Sequence, residues 1–197
     1  LFILIALASM WNLLAGFGGL VSIGQQAYIG IGAYTVVVLD GQGISPFLAI
    51  LFAVVTASLL SIPTSLLAFR LRGDYFAVGT WVIAEVYRLV VIQVDSVGGG
   101  DGKSLSGLIG IDPTMRAAAV YWIALGLAAI TVLTCFALLR SRIGLSLKAI
   151  RDDEVAARAG GVNVTRVKRI VYLVSAAGCG AAGAVLAVDA IRVQPDA

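Results

Sequence analysis

The chain carries no charge from Leu1 to Leu39, and its first charged residue is Asp40. That apolar run is too long for one helix, because about 20 helical residues cross a bilayer core. Gly16-Phe17-Gly18-Gly19 divides it, predicting one span near 1–15 and a second near 20–39. Four further apolar stretches follow: Ser45 to Phe69, Tyr75 to Val94, Ala117 to Leu139 and Ile170 to Val188. Pro63 removes a helical hydrogen bond and predicts a kink in the third span. The expected fold class is all-α: a polytopic transmembrane helix bundle of about six spans, with one broken or glycine-rich helix. The pattern divides into no further domain, so residues 1–197 read as one transmembrane unit.

Loop charge orients the bundle. Residues 140–169 hold Arg140, Arg142, Lys148, Arg151, Arg158, Arg166, Lys168 and Arg169 against Asp152, Asp153 and Glu154. Such an excess of Lys and Arg in a short loop marks the cytoplasmic side. Alternation then puts 95–116 outside, 70–74 inside, 40–44 outside and 16–19 inside. Arg70 and Arg72 in the 70–74 loop agree with that assignment.

Composition narrows the chemistry. Hydrophobic residues make up 60% and charged residues 13%, with a net charge of +3 concentrated in one loop. That excludes a disordered chain, and it leaves too little polar surface to coat a water-soluble globule. No basic face for nucleic acid is present. With no His, a Ser-His-Asp triad, an H-E-x-x-H zinc site and a His relay are impossible. Cys135 and Cys179 sit in separate apolar runs and read as small buried hydrophobes. Leu1 begins inside an apolar stretch, which suggests a fragment of a longer protein.

Three motif matches fail on context. Residues 97–104 approximate a phosphate-binding loop, but Val97 replaces the first glycine and the loop lies outside. Gly30-Ile31-Gly32 lacks the third glycine of a dinucleotide fingerprint, with Thr35 at that position. Asn163-Val164-Thr165 is a sequon in the predicted cytoplasmic loop.

The second span carries the candidate pathway. Ser22, Gln25 and Gln26 interrupt it together with Gly24, Gly30 and Gly32. Small residues can pack helices closely while amides act as interhelical glue. Alternatively, a broken helix frees backbone and amide groups to line a polar pathway. Glu85, near mid-membrane, is a fourth pathway candidate, because an intramembrane charge is costly and faces a cavity or a partner. Arg88, three residues on, lies on the same helix face, so a structural ion pair is the competing reading.

From Leu145 to Ala159 the basic loop has helical character. Lys148 and Asp152 stand at i,i+4, as do Glu154 and Arg158, and Leu147, Ile150 and Ala157 share one face. Gly160-Gly161 supplies a stop. Asp152, Asp153 and Glu154 would be repelled by anionic lipid, so composition favours docking on a cytoplasmic protein over lying in headgroups.

Residues Asn12 to Gln25, continuing through Gly30-Ile31-Gly32-Ala33-Tyr34, resemble the N-L-L-x-G-x-x-G-L-x-S-x-G signature of LivM-type permeases of branched-chain amino-acid ABC importers. Leu71 to Ala77, leading to Glu85 and Arg88, is similar to that family's L-R-G-D-Y-x-A…G-E-x-x-R block, with Ala84 where Gly is common. Gly98-Gly99 to Ser106-Gly107 resembles its external loop. Ala149 to Val162 resembles its cytoplasmic A-I-R-x-x-E-x-A-A-x-x-x-G loop, a loose version of a wider coupling motif. The four blocks occur in register along essentially the whole chain.

The resemblance implies a multi-pass subunit of the bacterial inner membrane and a parent chain longer than this one. It implies a second permease subunit, two cytoplasmic ATPase subunits that bind ATP and Mg, and an external solute-binding protein. This chain would have no cofactor, no metal and no catalytic residue of its own. Ser22, Gln25, Gln26 and Glu85 are the expected pathway residues. Lys148, Arg151, Asp152, Glu154, Ala157, Arg158 and Gly160 are the expected coupling residues. The alternative is a secondary transporter or channel for a small polar solute, which would need ion-coupling groups in several spans.

Overall fold

In the computed structural model the described residues are all but 72, 95–97, 99–101, 109–111 and 195–197, with backbone only at Asp74. The helices are α1 (Phe2–Trp11), which passes into a π-helical turn (Asn12–Phe17), α2 (Gln25–Gly41), α3 (Pro46–Ala68), α4 (Asp74–Ile92), α5 (Pro113–Arg140), α6 (Arg142–Asp152), α7 (Glu154–Ala159) and α8 (Val164–Ala190). Two short strands, β1 (Lys103–Ser104) and β2 (Arg192–Val193), pair antiparallel. The class is all-α.

Among the described residues, four helices are long and apolar enough to cross a membrane: Pro46–Ala68, Tyr75–Ile92, Pro113–Arg140 and Val164–Ala190. The first two of the six expected spans are shorter. Phe2–Phe17 ends at the glycines, and the expected 20–39 helix begins only at Gln25. The reason is local. Gly19 takes φ +64, which stops a helix, and the chain stays non-helical to Gly24. Irregular backbone at membrane depth is tolerated only where protein buries it. The segment is half-buried: Leu20, Ser22 and Gly24 face the protein, while Gly19, Val21 and Ile23 are exposed.

α8 is the axis of the bundle. In its membrane-length window 72% of the residues are buried, against 17% for α4 and α5. Its Gly/Ala-rich face explains this, because it lets other backbones approach. A Cβ at Gly32 of α2 would overlap the Gly180 carbonyl, and one at Gly183 would overlap the Ile29 carbonyl. Close packing through small residues, one of the two readings of the second span, is therefore present. α3 runs unbroken through Pro63. The hydroxyls of Thr64 and Tyr87 both lie within hydrogen-bond distance of the Leu60 carbonyl, at 2.9 and 3.2 Å, and so tie α4 to α3 one residue from the carbonyl that Pro63 leaves without its helical donor.

Two apolar clusters stack along the bundle. One joins Leu13, Leu14, Leu20 and Tyr28 to Leu147, Ile150, Ala157, Val171 and Tyr172. The other joins Val36, Val37 and Ile50 to Leu105, Leu108, Val185 and Val193. The first gathers the 16–19, 69–76 and 140–169 connections at one end. The second gathers 40–44, the 103–108 loop and 192–193 at the other. Segments that loop charge assigns to one side thus meet at one end, although Arg72 and much of 95–116 lie outside the described residues. Asp40 fastens the second end. Its carboxylate accepts from Ser106 N–H (2.7 Å), Ser106 hydroxyl (2.9 Å) and Gly107 N–H (2.8 Å).

The expected 145–159 helix is two helices. Asp153 is extended (φ −154, ψ 109), and its Oδ1 accepts from Val155 and Ala156 N–H, so it caps α7 and interrupts the axis. The fifth and sixth spans each extend beyond their apolar cores because polar caps start them earlier. Asp112 caps α5, and hydrogen bonds from Thr114 hold its carboxyl below the ordinary range. Asn163 Oδ1 accepts from Arg166 N–H at 3.0 Å and caps α8, which is the structural use of the sequon asparagine. Cys179 is buried, Cys135 is half-buried, and both are free, as their apolar surroundings predict.

Candidate functional site

Two sites matter: a groove in the bundle, and the surface made by α6 and α7. The groove has a volume of about 650 Å³ and lies between α2, α4 and α8. From α2 it takes Gln26, Gly30 and Tyr34; from α4, Glu85 and Arg88; from α8, Leu186 and Ala187. The structure divides the four expected pathway residues into two pairs. Gln26 and Glu85 share this groove. Ser22 and Gln25 instead turn into the protein, 2% and 9% exposed.

Successive helical residues point about 100° apart, so Gln25 and Gln26 cannot share a face. Gln25 Nε2 donates to Ser175 Oγ at 2.7 Å, and Ser175 donates onward to the Met10 carbonyl at 3.1 Å. This chain ties α2, α8 and α1 together at the non-helical break. Below it the Tyr28 and Tyr172 hydroxyls bond at 3.1 Å, with their rings edge to face. Gln25 is thus the interhelical glue, and Gln26 lines the groove.

Glu85 and Arg88 form a forked ion pair. Arg88 Nε donates to both carboxylate oxygens at 3.0 Å, and Nη2 lies 2.6 Å from Oε1. Their side chains keep 42% and 38% of their exposure, so the pair stands on the groove wall. The rest of the wall mixes apolar Ile29, Ala33, Val91, Leu186 and Ala187 with Tyr34, Tyr87, Arg192 and Gln194. A carboxylate and a guanidinium side by side on such a wall can hold a dipolar group by charge-assisted hydrogen bonds.

α6 and α7 bury one face and expose the other. Leu147, Ile150 and Ala157 are buried, as their shared face predicts, but against this chain's own bundle. That apolar face is thus occupied within this chain, and the segment offers its other face outward. What remains outside is Leu145 at 74% and Val155 at 79% exposure, among exposed Arg151, Asp152 and Asp153. Among the described residues, the ion pairs of this segment run from Glu154 to Arg158 (2.9 Å) and Lys168 (2.6 Å), not from Lys148 to Asp152. Gly160 ends α7, and Gly161 turns the chain at φ +85.

Arg151 makes the contact that the sequence does not announce. Its Nη1 donates to the Gly16 carbonyl at 2.6 Å, at the end of the π-helical turn, and its stem lies against Gly19. π-turns are rare and concentrate at functional sites. The only sequence signal was the coincidence of Arg151 and Gly16 in two resembling blocks. Asp40 was likewise visible only as a loop charge. The phosphate-loop match dissolves: Lys103 and Ser104 form a ribbon strand instead of opening a helix, while Val97, Gly99, Gly100 and Asp101 lie outside the described residues.

The sequence profile described as "Branched-chain amino acid transport system / permease component" matches residues 1–197. The chain belongs to this family. Two curated relatives, from Salmonella typhimurium LT2 and Escherichia coli K12, are both named high-affinity branched-chain amino acid transport system permease protein LivM. Each is 29% identical over 216 residues, covering 94% of this chain and 50% of the relative. The chain therefore spans about half the length of these relatives. No solved structure matches it significantly. Family membership and the apolar helices make this a multi-pass membrane protein of the permease class, a transport component in place of an enzyme.

Proposed function

We propose that the chain is part of the membrane-spanning subunit of an ABC importer for branched-chain or related amino acids in the bacterial inner membrane. A second permease subunit, two cytoplasmic ATPase subunits holding ATP and Mg, and an external solute-binding protein complete the machine. The observation that carries the reading is the groove, in which the Glu85–Arg88 pair and the Gln26 amide, with Tyr34, Tyr87, Arg192 and Gln194, stand among apolar residues within a permease-family bundle. A small amino acid has that division, a zwitterionic head and an apolar body. Gln26 and Glu85 are the pathway residues, and Ser22 and Gln25 support the break behind them.

In this reading the α6–α7 end is cytoplasmic and the Asp40–Ser106 end is external. The ATPase subunits engage Leu145, Val155 and the charges between them. Arg151 then pulls on the Gly16 carbonyl, and α1 passes the movement through Met10 and Ser175 to Gln25. The test is the assembled importer in proteoliposomes, with uptake and ATP hydrolysis measured together. Uptake that requires external binding protein and internal ATP supports the reading. Uptake driven by an ion gradient through this subunit alone would select the secondary-transporter alternative.

A further inference from the structure

Gly30 is a glycine without a packing reason. Gly32 and Gly183 are held by the backbone they touch, and Gly24 by the Thr80 carbonyl, but a Cβ added at Gly30 would meet nothing within 4 Å. Its φ is ordinary, and it sits well inside α2, where glycine is less favourable than alanine. The space its missing side chain leaves is part of the groove that also holds Glu85 and Arg88. Neither the fold nor the α2–α8 crossing uses that space.

We infer that Gly30 sets the size of the side chain the groove admits: the Glu85–Arg88 pair receives the zwitterionic head of the solute, and the gap at Gly30 receives the apolar body. The inference deepens the pathway reading and rests on it. A solute ammonium competes for the Glu85 carboxylate and a solute carboxylate for the Arg88 guanidinium, so head recognition is indifferent to the side chain. Discrimination falls to the apolar part of the wall, where Gly30 on α2 leaves open space in place of a side chain. One methylene more or less in an apolar pocket changes discrimination by about tenfold or more.

The experiment compares G30A and G30V with the parent in the complete importer, using one binding protein and radiolabelled L-leucine and L-alanine as probes. Alanine strengthens a helix interior relative to glycine, so G30A is expected to assemble normally. Leucine uptake should fall roughly tenfold in G30A and further in G30V, while L-alanine uptake falls less than twofold in G30A. An unchanged leucine-to-alanine ratio, with either normal or uniformly reduced uptake, overturns the size assignment. Loss of the partner subunits on purification also overturns it, by showing that Gly30 is a helix contact. E85Q and Q26L are run alongside. If they leave leucine uptake at the parental level, the groove is not the pathway and both readings fall. If they impair it while the ratio in G30A stays fixed, only the role of Gly30 falls.

Discussion

Gln25 and Gln26 are neighbours in sequence and opposites in structure, and they give a paired prediction. Replacing Gln25 by Leu removes a buried donor to Ser175 and leaves its α8 partner short of one bond. Interhelical hydrogen bonds in membranes contribute about 0.6 kcal/mol on average and up to about 2, so Q25L should lower the thermal stability of the purified complex. Q26L should leave stability unchanged and reduce uptake, because its amide stands in the groove. A thermal-shift assay beside an uptake assay separates them, and equal effects of both variants would refute the division. Gly32 belongs to the same scale. Its missing Cβ is what lets α2 meet the Gly180 backbone, so G32A should destabilise by about 1–3 kcal/mol through overpacking. The same assay, or loss of monodisperse protein in detergent, reads it.

Helices, taken as units, differ in how firmly they are held. α8 is enclosed, whereas α6 and α7 lie across one end of the bundle with an apolar face inward and their charges outward. Asp153 breaks the rod between them, so α6 and α7 are separate helices with separate attachments. α6 is hooked to the π-helical turn by Arg151, and α7 to α8 by Glu154 and Lys168. R151A should uncouple the importer: ATP hydrolysis persists, while the amino acid moved per ATP falls severalfold. R151K, which keeps a charge without the guanidinium fork, should restore part of it. A ratio equal to the parent's would remove Arg151 from the linkage. At the other end D40N should loosen the tether of the 103–108 loop to α2, because an amide group cannot accept three hydrogen bonds as a carboxylate does. Faster proteolysis between 103 and 108 is the expected sign.

At the scale of the molecule, the two stacked clusters define two ends, and charge asymmetry predicts a side for each. Single cysteines at Val155 and at Ser104, in a background lacking Cys135 and Cys179, should react with an impermeant thiol reagent from opposite sides of intact cells. Val155 should react only after permeabilisation, and Ser104 without it. Labelling of both from one side would invert the proposed stroke and reject the coupling surface. Much of this was legible in advance. The apolar runs located the helices of the bundle, although among the described residues only four are long and apolar enough to cross a membrane. The polar caps Asp112 and Asn163 mark helix starts that run length alone places too late. The glycines at 16–19 marked a break, but not its five further non-helical residues, because a buried irregular turn depends on neighbours supplying its hydrogen bonds. Thr80 does so for Ile23.

The sequence by itself determined that this chain lives in a membrane, which segments are apolar enough to enter it, and which loops share a side. Those properties follow from transfer free energy and charge summed along the chain, and no contact between distant residues enters the sum. The tertiary structure alone decided which amide faces the groove, which glycine is needed for packing and which leaves space, and which arginine holds the π-helical turn. Each of those depends on the rotation of one helix against another. That rotation is set by small residues meeting backbone across the interface, a fact no position carries in its own identity.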